Sequence, residues 1–578
     1  MRAKEGEIWR DERHVKLTFE GQTIVARKGE TVAAALAANG VNAFRSTRTG
    51  APRGLFCGMG VCQDCLVEID GRPNRRACMT KVDGPVTVRR PDPDLPPKPV
   101  AQDGPAQEPQ QRSVVAPDVL VLGGGAGGLT AAACAAEAGA SVVMVDDRPV
   151  PGGQYFKQPL AFSDLPRHIL NDRQFAGGRA LIERARQAGV QFVRGEAWAA
   201  YAPMEIHIRG GRASRIARPG QLIVATGAYE RALPVPGWTL PGVMTTGAAQ
   251  TLLRSYRVLP GERVLVTGNG PLNLQVAAEL MAAGAKVAGV VELGARPSAR
   301  SAGALWKMAA NAPGLALQGL GYLRRLKRAG VPVHYGQVLA RVDERDGALR
   351  AATRSLDGIG LGPAPTFEVD AVLMGYGFLP SNEILRLLGC AHDYDPARGS
   401  LVTVRDGSCG TTVEGVYGVG DCCGLGGARA AQAEGVVAGL KAAEASGCLP
   451  SAALGQERRK AQAALRRQRK FQSGLWSVFG AEWPGLKLAT ARTVVCRCEE
   501  VTLGQIDAVA DTGMHSMAEI KRCTRLGMGR CQGRYCAPLL AGLLHDRYGH
   551  GLDEFALYAP RPPVKPVPIG VVAGVEET

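Results

Sequence analysis

The sequence predicts an α/β protein in which one doubly wound parallel-sheet unit is inserted within another and a small cysteine-bearing module stands at each end. Three observations predict it. Strand and helix patterns alternate from Asp118 to about residue 447, and a glycine-rich turn interrupts them twice, at Gly123 to Gly128 and again at Gly268 to Gly270. Cys57, Cys62, Cys65 and Cys78 are spaced C-x4-C-x2-C-x12-C. Cys496, Cys498, Cys531 and Cys536 form a C-x-C pair and a later C-x4-C pair.

Residues 1–90 read as a β-grasp module. Val15 to Phe19 alternates as a strand, Glu20-Gly21 turns, and Gln22 to Ala26 returns. Thr31 to Ala38 is a helix stopped by Asn39-Gly40, and a further strand begins at Cys65. The C-x4-C-x2-C spacing is that of plant-type [2Fe–2S] ligands, with zinc as the rival. Gly54, Gly58 and Gly60 allow a tight loop whose amides can face sulfur. Residues 91–115 are proline-rich, lack a hydrophobic period and read as an extended tether.

The first large unit is expected to be discontinuous, over 116–244 and 366–450. Its turn follows the strand DVLVL and opens an alanine-rich helix. Gly123 suits the tight turn, Gly125 lets backbone approach a pyrophosphate, and Gly128 permits close helix packing. The next strand ends in Asp146, placed to accept ribose hydroxyls, with Asp147 as the near alternative. Ala225-Thr226-Gly227 and Gly420-Asp421 each follow a later strand, and Asp421 also stands where it can N-cap the following helix. In the second unit, 245–365, Gly268 and Gly270 lie in a turn whose third glycine is replaced by Asn273, and Glu292 ends the next strand. Such an acid repels a 2′-phosphate and so favours NAD over NADP; whether this unit holds NAD(P), another nucleotide or nothing is left open. Cys422-Cys423 are adjacent rather than a redox C-x-x-C, which argues against thiol exchange; Cys134, Cys390, Cys409 and Cys448 read as packing residues.

Residues 451–492 contain a basic helix (ERRKAQAALRRQRK), 493–551 the second cysteine module, and 552–578 a proline-rich tail. The net charge is +16 over 578 residues. The basic residues are not interleaved with aromatic ones, so a docking face or solvated helix is preferred to nucleic-acid binding. Without an 18-residue apolar stretch or a secretory signal, and with fifteen cysteines of which eight have ligand-like spacing, the expected setting is a reducing cytoplasm. The eight histidines are scattered, and no catalytic residue is assigned.

The pairing of LGGGAGGL with GVGDCCG resembles the two-dinucleotide-binding-domain flavoproteins, the family of glutathione and thioredoxin reductases. The resemblance implies FAD in the first unit, with Asp421 on the ribitol side beside Gly420, Thr226 and Gly227, and with Gly153 and Gln154 nearby. CRCEEVT and GMGRCQGRYC resemble the helical [2Fe–2S] modules related to bacterioferritin-associated ferredoxin. There the later pair is C-x2-C; here it is C-x4-C with Cys523 as a spare, which leaves the fourth ligand and a mononuclear metal open. The whole order resembles the α subunits of heteromeric amine and imino-acid dehydrogenases, a group with hydrogen cyanide synthase, opine oxidase, D-hydroxyproline dehydrogenase, L-proline dehydrogenase and sarcosine oxidase. In several of them the small ferredoxin is a separate γ subunit; here it resembles one fused by the tether. This implies a partner β subunit of the D-amino-acid-oxidase type that oxidises a C–N bond. Electrons then pass through FAD and two [2Fe–2S] clusters, with FMN as a further cofactor at the subunit boundary. The alternative is a self-contained NAD(P)H-dependent reductase feeding its own clusters; a third reading is an iron–sulfur regulator that binds nucleic acid.

Overall fold

The computed structural model describes residues 1–3, 14–92, 113–159, 172–210, 213–356 and 364–573. Most of the expected tether, 93–112, lies outside them, as does His168.

In the N-terminal module His14–Phe19 pairs antiparallel with Gln22–Arg27 and parallel with Val86–Arg89, and Leu66–Ile69 and Arg72–Arg76 complete a five-stranded sheet. The helix Val32–Ala38 begins at Thr31, whose hydroxyl accepts from the Ala34 amide, and its apolar residues Val32 to Leu36 are buried. This is the β-grasp arrangement.

The first large unit has five parallel strands in the order Gln191–Arg194, Val142–Asp146, Val119–Leu122, Gln221–Val224, Val416–Gly418. The central strands Val142–Asp146, Val119–Leu122 and Gln221–Val224 are mostly buried and apolar on both faces, as a parallel sheet covered by helices requires. The helices Ala126–Glu137 and Ala428–Ala445 pack through glycines: a Cβ at Gly439 would lie 2.3 Å from the Ala131 carbonyl oxygen. The second unit repeats the plan with Val243–Thr245, Ala371–Gly375, Arg263–Gly268, Lys286–Glu292 and Val333–Tyr335. The boundary expected at 365 therefore falls short, because Ala371–Gly375 forms ladder hydrogen bonds with Arg263–Gly268 in the second sheet. The short antiparallel pair Ala228–Glu230 and Phe378–Pro380 carries the chain between the units.

The basic stretch lies within one helix, Ala452–Val478, which contacts the helices Ala302–Asn311 and Ala428–Ala445 rather than standing free as a linker. On it Glu457 pairs with Arg184 and Arg458 with Glu444. The C-terminal module consists of a small hairpin and the helices Leu503–Ala510, Met517–Thr524 and Cys536–Tyr548 around their own apolar cluster. After it the chain returns to the first unit, where the Val564 amide donates to the Trp198 carbonyl and Val571 packs on Trp198. No helix of the described residues is long and apolar enough to cross a membrane.

Candidate functional site

The first glycine turn forms a cradle. Gly123 has φ +106°, and its missing Cβ leaves room for the Ala225 carbonyl. A Cβ on Gly128 would lie 1.8 Å from the Gly123 oxygen, so only glycine lets this helix start so near the strand. Gly125 is the N-cap of Ala126–Glu137. It faces Gly153, where a Cβ would come within 2.7 Å of the Gly125 Cα. Two backbones bare of side chains at a helix N-terminus fit the diphosphate of a dinucleotide. The Asp146 carboxylate accepts from the Gly124 and Arg148 amides. Burial, then the neighbouring Asp147 charge, pushes it up to about 6. Asp147 instead meets Lys565 of the C-terminal segment at 3.4 Å.

Further along the cradle, the Thr226 hydroxyl donates to the Ser381 carbonyl at 2.6 Å, and Gly227 has φ +72°. The Gly420 amide donates to Glu434 at 2.8 Å, while the Asp421 carboxylate accepts the Gly426 and Gly427 amides. Asp421 is not the N-cap of Ala428–Ala445: Gly427 is, and Asp421 holds the loop that leads to it. Gly153 has φ +61°, and its carbonyl accepts from Arg148; Gln154 stands beside it, part-exposed.

The second turn is built on the same lines but is closed. Gly270 donates to Glu292 at 3.0 Å, as Gly124 does to Asp146. Glu292 is only 1% exposed, whereas Asp146 is partly open. A Cβ on the neighbouring Gly294 would sit 3.6 Å from the Phe479 Cα, so the chain leaving the long helix covers this corner. Asn273, in the third glycine's place, spends its amide on the Gly375 carbonyl and accepts from the Thr246 hydroxyl. Gly268 lies against Gly375, where a Cβ would come within 2.0 Å of the Gly375 oxygen.

The two cysteine sets, hundreds of residues apart in sequence, lie side by side. Cys62, Cys496, Cys498, Cys531 and Cys536 line one small cavity together with Arg497 and Tyr535. The Cys498 thiol approaches the Cys62 carbonyl at 3.9 Å. Within each set the thiols interact in pairs, Cys57 with Cys62, Cys65 with Cys78, Cys496 with Cys536 and Cys498 with Cys531. A tetrahedral mononuclear site with metal–sulfur bonds near about 2.3 Å requires all four sulfurs mutually close. Among the described residues no three of these thiols lie within 4.8 Å of one another. Paired thiols of this kind fit a binuclear cluster instead.

Backbone amides add to that fit. Burial raises the Cys57 thiol, but the Cys62 thiol and the amides of Cys62, Met59 and Val61 bring it down to about 6. The Cys536 thiol, opposed by burial and aided by the amides of Gly527, Glu499 and Cys498, lowers Cys496 to about 7. Cys523 is exposed and beside Met514, away from the cavity. Cys134, Glu137 and Glu457 also converge, but Arg184 hydrogen-bonds to all three and answers their charge.

Sequence reasoning missed what joins the three regions. On the strand Ala228–Glu230, directly after Gly227, Tyr229 shares one apolar cluster with Cys57 and Cys62 of the first set and Cys531 of the second. The Tyr229 ring lies 5.5 Å from that of Tyr535, beside Cys536, and its hydroxyl donates to the Arg534 carbonyl. Burial pushes the Glu230 carboxyl up to about 7, with the Gly247 and Thr245 donors and Lys157 pulling it down; the Cys57 thiol is among the charges acting on it. Lys157, near Gly153, is buried and lowered to about 7 by that burial, and it donates to Gln250 at 2.8 Å. Arg497, between Cys496 and Cys498, is ion-paired with Asp64, between Cys62 and Cys65, and stacks on Phe56 and Trp238 at 4.0 and 4.6 Å. Arg53 and Thr49 reach Glu500 across the same seam. No local pattern announces these residues; only the position of Asp64 and Arg497 between ligand-spaced cysteines was visible.

Three families match the chain in turn: a 2Fe-2S iron-sulfur cluster binding domain over residues 12–93, pyridine nucleotide-disulphide oxidoreductase over 117–435, and the sarcosine oxidase A3 domain over 490–575. An opine oxidase subunit of Rhizobium meliloti is 30% identical over 463 residues, 80% of this chain and 99% of its own. The hydrogen cyanide synthase subunit HcnB of Pseudomonas aeruginosa is 32% identical over 469 residues, 78% of this chain and 97% of its own. The sarcosine oxidase alpha subunit of Corynebacterium strain P-1 is 24% identical over 96% of this chain and 56% of its own. The crystal structure of L-proline dehydrogenase from P. horikoshii superposes with a TM-score of 0.70 at 20% identity, covering 99% of this chain and 100% of that one, a likeness of fold.

Proposed function

The chain belongs to the pyridine nucleotide-disulphide oxidoreductase family, and we propose that it is the electron-transfer subunit of a heteromeric dehydrogenase whose partner oxidises an amine, imino acid or opine. It is an oxidoreductase with an N-terminal [2Fe–2S] domain, and its flavoprotein core is like those of the opine oxidase subunit and HcnB. In the proposed reading FAD occupies the first unit. Gly123, Gly125 and Gly128 shape the pyrophosphate cradle, Asp146 receives the adenosine ribose, and Asp421, Gly420, Thr226, Gly227, Gly153 and Gln154 face the flavin end. Cys57, Cys62, Cys65 and Cys78 hold one [2Fe–2S] cluster, and Cys496, Cys498, Cys531 and Cys536 a second. FMN at the subunit boundary, the β subunit of the D-amino-acid-oxidase type and a cytoplasmic setting belong to the same reading. The bound flavin supplies the conversion of a two-electron donor into single electrons.

What this chain's residues do is hold and connect. The observation that carries the reading is the convergence of both cysteine sets on the strand that follows Gly227, through Tyr229, which shares one apolar cluster with Cys57, Cys62 and Cys531. Lys157 and Glu230 are both buried and their charges act on each other, while Lys157 donates to Gln250 and Glu230 accepts the Gly247 amide. The enclosed Glu292 and the committed Asn273 amide weigh against a nicotinamide nucleotide in the second unit, and so against the self-contained reductase. Co-purification from the native host, followed by dye reduction with proline, sarcosine, glycine and opines, tests the reading. A stoichiometric second flavoprotein with amine-dependent dye reduction is expected; a lone chain oxidising NADH would refute it.

A further inference from the structure

Tyr535 directly precedes Cys536 and is 6% exposed, yet its hydroxyl has no hydrogen-bond partner among the described residues. Stranding a buried hydroxyl costs about 1–3 kcal/mol, so such a group points to an acceptor close at hand. The neighbouring Tyr229 hydroxyl, by contrast, is already committed to the Arg534 carbonyl at 3.2 Å.

The surroundings of Tyr535 come from both ends of the chain. Its ring packs edge-on at 5.8 Å against Phe56, the residue before Cys57. Tyr535 shares one apolar cluster with Phe56, Cys57 and Cys62 as well as Cys531, and it lines a cavity in which Cys62 of the N-terminal set meets the four cysteines of its own module. The register of the two loops is fixed by the Asp64–Arg497 ion pair, whose side chains are 2% and 5% exposed, and by the Arg497 bond to the Trp238 carbonyl at 2.9 Å. A buried ion pair is weak evidence of stability, but it sets geometry well.

We propose that the Tyr535 hydroxyl donates a hydrogen bond to the sulfur of the cluster held by Cys57, Cys62, Cys65 and Cys78, so that a residue of the C-terminal module sets the potential of the N-terminal centre. The inference rests on the [2Fe–2S] reading of those four cysteines. Reduction adds one electron, and so one negative charge, to the cluster. The electron comes from reduced flavin in the enzyme or from dithionite in a titration, and no proton moves. A donor aimed at sulfur stabilises the more negative form and raises the potential. Tyr535 is in this sense a positioning and tuning residue, and it carries no electron itself.

The test is a mediated redox titration of the full chain, followed by electron paramagnetic resonance, on the wild type and on Tyr535→Phe, which removes one oxygen and keeps the ring. At an ambient potential near the wild-type midpoint, the ratio of reduced to oxidised N-terminal cluster is expected to fall about tenfold in the variant, the equivalent of one hydrogen bond to a charged group. Iron, sulfide and flavin contents and the titration of the C-terminal cluster stay unchanged. An unmoved N-terminal midpoint with both clusters loaded overturns the inference and leaves the two-cluster reading standing. A shift confined to the C-terminal cluster overturns it as well. Absence of the N-terminal cluster from the wild type overturns the reading on which the inference rests.

Discussion

Replacing Glu292 by Gln isolates one buried charge whose effect on stability can be worked out from its surroundings. Glu292 ends its strand 1% exposed, and its two oxygens accept the Gly270 and Gly294 amides at 3.0 and 2.9 Å. Burial raises the carboxyl to about 7 from 4.5, opposed by those two donors. Between these values the folded protein binds more protons at this site than the unfolded chain does, so stability falls as pH rises. The contribution is fully present below pH 4.5 and gone above about 7. The span corresponds to about 3 kcal/mol against the ionised form. Gln cannot ionise, and it keeps the shape and one acceptor oxygen. Urea unfolding of the two proteins at pH 5 and at pH 8, compared as differences so that other titrating groups cancel, is expected to move by about 2–3 kcal/mol in favour of Gln at the higher pH. A difference that does not change between the two pH values refutes the argument that this corner of the second unit is sealed.

Gly125→Ala places a methyl in the cradle with only the Gly153 Cα near it, at 4.0 Å. The apoprotein is expected to melt as the wild type does while flavin retention falls tenfold or more, a difference of about 1.4 kcal/mol or above; retained flavin absorbance would contradict the cradle. Cys57→Ser and Cys531→Ser are each expected to remove roughly half the iron and to leave flavin bound, read by iron and flavin assays, because each cluster needs its full set of thiolates. Loss of all three centres together in either variant would show that the modules do not load independently.

Much of this architecture is legible in the sequence because its signals are local. A helix start such as Thr31, a strand–turn–helix at Gly123 and ligand spacing at Cys57 to Cys78 are each contained in a few dozen residues. The strand Ala371–Gly375 was misassigned because parallel pairing with Arg263–Gly268 is a long-range ladder that neither segment announces. The seam between the two cysteine sets was hidden for the same reason. Tyr535, Arg497 and Asp64 acquire meaning only when residues far apart in the chain pack together, and each alone reads as an ordinary aromatic or charged residue. The closure of the second turn was half visible: Asn273 marked the altered glycine position, but that Phe479 covers the neighbouring Gly294 depends on where the long helix ends.

The central claim is that electrons reach this chain from a partner's amine oxidation rather than from a nicotinamide nucleotide. Anaerobic reduction, followed by flavin absorbance and cluster paramagnetic resonance, tests it most directly. The complex purified from the native host is to be given an amine or imino acid, and the isolated chain NADH. The account predicts bleached flavin and reduced-cluster signals in the complex with its substrate, and no change in the isolated chain with NADH. Rapid bleaching of the isolated chain by NADH, with both cluster signals appearing and no second flavoprotein present, would contradict it.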